Sequence, residues 1–455
     1  MRSLRQQDKD LIWHPYTQHL VEPQPLVVER AKGASLYTTD GKEVLDLISS
    51  WWTTTHGHSH KRLNQVLIDQ AEKLEHVMFA GFSHRPAIQL ATQLVKMLPN
   101  NLNKVFFSDN GSTAVEVAIK IALQYWKNKG YIGKNKLVAL DGGYHGDTVG
   151  AMSVSKGSGF FNAYNDYLFS IEIIPFPETW FEDHEREEKE AASLSIFKKL
   201  INEKKEELCA IIIEPLLQGA SGMRICSIDY LQKIHNLAKE NEILLIFDEV
   251  AVGFGRLGEM FASTKSDCEP DIICLSKGLT AGYLPMATTV CTDEIYNNFL
   301  SQQINKTLLH GHTFTANPLA CAVAHKSLEL FQEELTLNKI AHIEQKHLDF
   351  LKVLVSYDSV HKLRKIGSIM AFDIKSKDDN YKNSLSEKLR FLFLSQGFNI
   401  RPIGSTVYLM PPYCISDNDL DKTYSVILNT INNPCLLYTS PSPRDATLSR
   451  MPSSA

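Results

Sequence analysis

An α/β core with a mostly parallel sheet, followed by a smaller α+β domain, is the architecture predicted by this 455-residue sequence. Three observations predict it. Short β-branched runs alternate with helix-like segments through the middle of the chain. Those runs are continuously apolar rather than alternating, which is the signature of strands covered on both faces. The length also exceeds what one hydrophobic core organises, so two packed domains are expected.

In chain order, the first 56 residues hold short strand candidates and are expected to pack with the small domain. The large domain is expected over residues 57–316. Its first strand is Lys104–Ser108, followed by the turn Asn110-Gly-Ser-Thr113 and a helix from about Ala114 to Lys129. Further strands are expected at Lys136–Leu140, Ile171–Ile174, Cys209–Ile213, Ile243–Phe247 and Ile272–Leu275. Between two of them, Leu231, Ile234, Leu237 and Ala238 recur at helical spacing, which places a helix over Tyr230–Glu240. The charged run Phe181–Glu190 reads as a solvated helix face or loop.

The texture changes at Asn317. Helices are expected at Pro318–Phe331, Lys339–Val355 and Leu385–Ser395, with strands at Ile369–Ile374 and Thr406–Met410, giving a small domain over residues 317–434. Residues 435–455 are rich in Ser, Pro and Arg without periodicity. They read as a non-native or disordered tail and contribute nothing to the fold argument.

Composition narrows the function. A net charge of −5, with 44% hydrophobic and 22% charged residues, is ordinary for a globular protein and gives no electrostatic case for nucleic acid. No apolar run reaches the roughly 20 residues needed to span a bilayer. The N-terminus lacks the apolar core of a secretory signal. Eight scattered cysteines form no CxxC pair, so reduced thiols and a cytoplasmic setting are expected. The histidines of His56-Gly-His-Ser-His60 lack acidic or cysteine partners at ligand spacing, so no metal is expected.

Two strand ends carry the chemistry. The run Ile243–Phe247 terminates in Asp248, and Ile272–Leu275 in Ser276-Lys277-Gly278. Ligands of open parallel sheets sit beyond the carboxyl ends of the strands, so a carboxylate and an amine delivered there face one crevice. Either alone reads as a surface charge. Together, with the loop Gly253-Phe-Gly-Arg-Leu-Gly258 between them, they match what pyridoxal 5′-phosphate (PLP) demands. That cofactor needs a lysine to bond its aldehyde and a carboxylate to keep its ring nitrogen protonated. Its phosphate needs backbone N–H groups at a helix start, and Gly111-Ser112 opens the helix after the first strand. In Gly142-Gly-Tyr-His-Gly-Asp147, Tyr144 offers a flat ring to a bound cofactor.

With these residues in view, the sequence resembles the class III PLP aminotransferases over about Leu11 to Tyr413. The shared motifs are Asp248-Glu249-Val250 with Gly253–Arg256, Ser276-Lys277-Gly278, and Thr313-Phe-Thr-Ala-Asn-Pro318. Four further motifs resemble the branch of that family that acts on 8-amino-7-oxononanoate in biotin biosynthesis. They are Trp13-His-Pro-Tyr-Thr17, Ser49-Ser-Trp-Trp52, Gly143–Asp147, and Arg401-Pro-Ile-Gly404 with Tyr408–Tyr413.

The resemblance implies a fold type I PLP-dependent transferase and a ping-pong transamination. Lys277, Asp248 and Tyr16 are implied to be catalytic. Gly111, Ser112, Tyr144, His312 and Thr313 are implied to complete the cofactor site, the last two from a neighbouring subunit of a homodimer. Tyr16, Trp51, Trp52, Tyr144, Lys277, Gly311 and Arg401 are implied to contact substrate, with Arg401 gripping a carboxylate. S-adenosylmethionine is the expected donor, with lysine as an alternative. His312 stands where the better-known members carry proline. Other class III ω-aminotransferase activity and a catalytically inactive PLP-fold scaffold are the competing expectations.

Overall fold

The computed structural model describes residues 2–375 and 384–432, so the expectation for residues 435–455 lies outside the described residues. Seven strands form the large sheet, in the spatial order Leu102–Ser108, Ala287–Thr292, Ile272–Leu275, Leu244–Asp248, Leu208–Ile213, Lys136–Leu140 and Glu172–Ile174. The central strands are buried along their whole length because helices cover both faces. One core lies on each side of the sheet. The first includes Phe247, Leu275 and Ile213, and the second includes Ile246, Cys274 and Ile212. Successive residues of one strand thus serve opposite cores, which is why the sequence runs are apolar without alternation.

The six expected strands form within a residue or two of their predicted ends. The strand Ala287–Thr292 has no sequence-level expectation. It runs antiparallel to both neighbours, and the threonines in Ala287-Thr-Thr-Val-Cys-Thr292 hide its burial from a hydrophobicity reading. Thr289 Oγ1 satisfies itself on the Ala114 carbonyl at 2.8 Å.

The helix Pro318–Glu333 is capped by Asn317, whose side chain accepts from Ala320 N. Its apolar residues Ala320, Cys321, Ala324, Leu328 and Phe331 join the first core of the large sheet. A third core is built from the helices Thr336–Leu354 and Asp417–Ile431 with strands Ile369–Ile374 and Thr406–Leu409. Leu45 and Leu47 of the N-terminal segment belong to that same core. The segment is also stitched to it by backbone, since Phe398–Asn399 pairs in parallel with Leu45–Asp46.

The charged run divides. Its beginning is loop, but Glu190, on the helix Arg186–Lys204, is buried rather than solvated. Its carboxylate accepts Ser227 N at 2.9 Å and Ser227 Oγ at 2.8 Å. It thereby supports the start of the helix Ile228–Glu240, a role that local charge density concealed.

Candidate active site

The parallel pairing of Leu244–Asp248 with Ile272–Leu275 sets Asp248 opposite Cys274. Lys277 follows after two more residues, in the left-handed conformation with φ 43°. Both side chains therefore emerge at the carboxyl edge, and both line one cavity of about 640 Å³ with Asn110, Gly111, Ser112, Tyr144 and His145.

The amine of Lys277 lies 4.6 Å from the centre of the Trp52 ring. Among the described residues no acceptor holds it. Burial lowers its pKa from the ordinary lysine value, against the opposing pull of the Asp248 and Glu214 carboxylates. In the apo chain, Lys277 should therefore reach half-maximal acetic anhydride reactivity at a pH below an ordinary lysine's. Removing the Asp248 charge (Asp248→Asn) should move that midpoint further down, because the carboxylate favours the ammonium form. Competitive labelling with peptide mass readout measures both, and an unchanged or raised midpoint in the variant would refute the electrostatic reading.

Asp248 is 4% exposed. One carboxylate oxygen accepts Val250 N at 3.0 Å, and the other lies 2.7 Å from His145 Nδ1. A carboxylate can only accept, so Nδ1 carries the proton of this bond. A second buried carboxylate, Glu214, accepts Tyr144 N at 2.9 Å and Gly219 N at 3.0 Å. Burial raises its pKa, with the Asp248 charge adding to the effect and His145 opposing it.

The helix Gly111–Asn128 points its N-terminus into the same cavity. Asn110 caps it by accepting Thr113 N, and Thr113 Oγ1 accepts Asn110 N in return. That leaves the N–H groups of Gly111 and Ser112 unclaimed among the described residues, at the positive end of the helix. A Cβ on Gly111 would stand 2.5 Å from Val250 Cγ1, so only glycine fits this approach.

A narrower extension of about 290 Å³ is lined by Tyr16, Trp51, Trp52, Tyr144, Lys277 and Arg401. Tyr16 Oη donates to Asp147 at 2.8 Å and lies 3.1 Å from Tyr144 Oη, which itself donates to Asp147 at 2.9 Å. Burial pushes the Tyr144 hydroxyl pKa up, so it stays protonated as a donor. The Arg401 guanidinium sits 5.3 Å from the Trp51 ring centre.

Both tryptophans ride on an unusual backbone. Ser49, Ser50, Trp51 and Trp52 all have positive φ, at 49°, 45°, 72° and 76°. Left-handed geometry costs an L-residue roughly 1–2 kcal/mol, so the surroundings must over-determine this turn. Ser49 Oγ donates to Met410 O at 2.7 Å, and Trp52 Nε1 to Tyr408 Oη at 3.0 Å. The fully buried Arg256 donates to the Trp52 and Thr54 carbonyls at 3.3 Å each.

Not every predicted residue joins the cavity. Gly311 and Thr313 are exposed, and neither lines it within one chain. His312 Nδ1 reaches Asp109 at 3.0 Å, an ion-pair distance without a hydrogen-bond angle. The three clustered histidines face separate partners: His56 the Ser327 carbonyl, His58 Asp46, and His60 Glu334.

Sequence reasoning gave no role to His145, Asp147 or Glu214. The first two stand in the Gly142–Asp147 loop already singled out for Tyr144, and a histidine beside a ring candidate was the available signal. Glu214 follows the strand Leu208–Ile213, the same strand-end logic that found Asp248.

Residues 16–431 match the family model described as aminotransferase class-III. The chain is 44% identical over 421 residues to the adenosylmethionine-8-amino-7-oxononanoate aminotransferase of Synechococcus elongatus, covering 92% of this chain and 98% of that one. The Staphylococcus aureus enzyme of the same name is 36% identical, with 95% and 98% covered. Among solved structures, the adenosylmethionine-8-amino-7-oxononanoate aminotransferase of Methanocaldococcus jannaschii aligns with a TM-score of 0.87 at 36% identity, over 94% of this chain and 98% of that one. A PLP-bound amine transaminase from an uncultivated Pseudomonas species aligns with a TM-score of 0.87 at 28% identity, over 93% and 98%.

Proposed function

Because the chain belongs to the class III aminotransferases, a PLP-dependent family of fold type I, we propose that it aminates 8-amino-7-oxononanoate to 7,8-diaminononanoate, a step of biotin biosynthesis. The observation that carries this reading is the continuity of the Lys277–Asp248 cavity with an aromatic extension that has Arg401 in its wall. Such a channel suits an aliphatic chain with a carboxylate at its far end. The relatives named above carry the same activity in their names.

The residues present fit the cofactor. Unclaimed N–H groups at a helix start suit a phosphate, an unengaged amine suits an aldehyde, and a buried carboxylate suits a protonated ring nitrogen. Bound PLP supplies an aldehyde for the amino group and a ring that accepts the electron pair released at the donor carbon. Lys277 would be the residue that bonds the aldehyde, and its amine would hold and move the proton at Nζ. Asp248 would hold the ring nitrogen in its protonated form, and His145 anchors Asp248. Gly111 and Ser112 would hold the phosphate, while Tyr144 would cover the ring and, with Tyr16, fix the polar end of the site. Trp51 and Trp52 exclude water along the substrate chain.

Arg401 grips the acceptor carboxylate. Arg401→Ala should raise KM for 8-amino-7-oxononanoate about 10- to 100-fold with a smaller change in kcat, the worth of a charge-assisted hydrogen bond. Arg401→Lys should recover little, because an ammonium lacks the planar fork. Steady-state kinetics with the two variants checks this, and an unaltered KM removes Arg401 from the role.

S-adenosylmethionine is the donor in this reading, and lysine is the second candidate. Mixing the PLP form with each separately and following the cofactor absorbance decides between them. Turnover of 4-aminobutyrate or ornithine without turnover of 8-amino-7-oxononanoate would replace the substrate assignment with another ω-aminotransferase activity. The exposed loop Gly311–Thr313 supports a homodimer in which His312 and Thr313 complete the partner's phosphate site and Gly311 faces its substrate. A monomeric mass by light scattering in an active sample would overturn that. Among the described residues no helix is long and apolar enough to cross a membrane, and a cytoplasmic enzyme is the setting we propose.

A further inference from the structure

The left-handed turn that carries Trp51 and the strand that leads to Arg401 share one anchor. Asp46, fully buried at the end of the strand Glu43–Asp46, accepts Ser50 Oγ at 2.7 Å and Asn399 Nδ2 at 3.1 Å. Ser50 is the residue before Trp51 in the strained turn, and Asn399 lies two residues before Arg401. One carboxylate therefore ties together the two elements that present the aromatic wall and the cationic grip.

Its third partner is His58, at 2.9 Å through Nε2. The His58 backbone is itself fixed, donating to Gly33 O at 2.7 Å and accepting from Gly33 N at 3.0 Å. The two oxygens are thus divided, Oδ2 between Ser50 and His58 and Oδ1 on Asn399. Burial presses the Asp46 pKa upward, yet the bonds from His58 and Ser50 outweigh it and hold the group below the ordinary carboxylate value.

We propose that Asp46 and His58 are positioning residues for the acceptor. They fix the separation of Trp51 and Arg401 and so set how the enzyme recognises a long carboxylate-bearing substrate, without touching it. Lys277, Asp248 and the phosphate cradle share no hydrogen bond with this cluster. Trp52, on the same turn and 4.6 Å from the Lys277 amine, is held separately by Tyr408 and Arg256, so loss of the cluster acts on acceptor binding rather than on cofactor binding or the proton transfer. The substrate half of this inference rests on the proposed acceptor.

The test uses the PLP-loaded holoenzyme and three variants: His58→Ala, His58→Gln and Ser50→Ala. Glutamine places an amide N–H near the position of Nε2, so it keeps the bond to Asp46 without an imidazole. The expected result is a rise of about tenfold or more in KM for 8-amino-7-oxononanoate in His58→Ala, since small misplacements of positioning groups carry effects of this order. In the same variant kcat should stay within about threefold and PLP should stay bound. His58→Gln should return KM to near the wild-type value.

An unmoved KM in His58→Ala overturns the proposal, as does an equal impairment of the alanine and glutamine variants, or a loss confined to kcat. If His58→Ala fails to fold, Ser50→Ala carries the same prediction with a smaller rise in KM. Near-UV circular dichroism separates this inference from the substrate assignment. Should the wild-type enzyme not use 8-amino-7-oxononanoate, the acceptor assignment fails. The tryptophan signal of His58→Ala still decides whether the pair holds the turn, and a spectrum identical to wild type refutes it.

Discussion

Replacing Lys277 with alanine is expected to reduce transamination by about 10⁴-fold or more, since in the proposed reading it removes both the bond to the cofactor aldehyde and the proton shuttle. No other amine lines the cavity to take its place among the described residues. The fold should survive. Among the described residues Lys277 makes no hydrogen bond, and burial already lowers its pKa, so truncation relieves a desolvated amine rather than breaking a network. Borohydride treatment of the wild-type holoenzyme should fix the chromophore to the peptide containing Lys277, and the alanine variant should bind PLP without becoming fixable. Residual turnover within about tenfold of wild type would transfer the proton shuttle to another group and sink the assignment.

The second large effect is expected from Asp248→Asn. The amide oxygen can still accept Val250 N, and its NH2 then faces His145 Nδ1, which accepts once the imidazole carries its proton on Nε2 instead. The pocket should stay intact while the negative charge disappears. On the proposed role of Asp248, loss of that charge would leave the ring nitrogen unprotonated and the cofactor a poorer acceptor for the electron pair of the donor carbon. A fall of about 10²- to 10³-fold in kcat is expected, the scale of removing one pre-organised electrostatic group. KM and the thermal midpoint should change little. Single-turnover absorbance kinetics, in which cofactor loss is visible separately, provides the check. A fall explained entirely by weaker PLP binding would mean Asp248 serves affinity instead.

These expectations draw on residues that the sequence exposed unequally. Asp248 and Lys277 were legible because each ends a continuously apolar strand, and a charge at such a boundary is conspicuous. Gly111 and Ser112 were legible as a strand–turn–helix junction. His145 was invisible as a partner of Asp248, since their separation of 103 positions is closed only by the sheet. Asp147 was invisible for the same reason, its contact to Tyr16 spanning 131 positions. The strand Ala287–Thr292 was missed because its threonines read as polar, although each of its first five residues is buried. Glu190 was misread because charge density is a local property, whereas its burial depends on the helix Ile228–Glu240 arriving beside it.

Sequence by itself determined six of the seven strands of the large sheet, the carboxyl-edge placement of acid and amine, and the identity of the motifs. Those follow from periodicity and strand ends, which are properties of short segments. Tertiary structure alone decided which distant side chains share a proton or a charge, and that Ser49–Trp52 winds left-handed. No local preference favours that turn, because L-residues resist positive φ. It exists only because Met410, Tyr408 and Arg256, brought from distant parts of the chain, hold it in place together with the neighbouring Asp46.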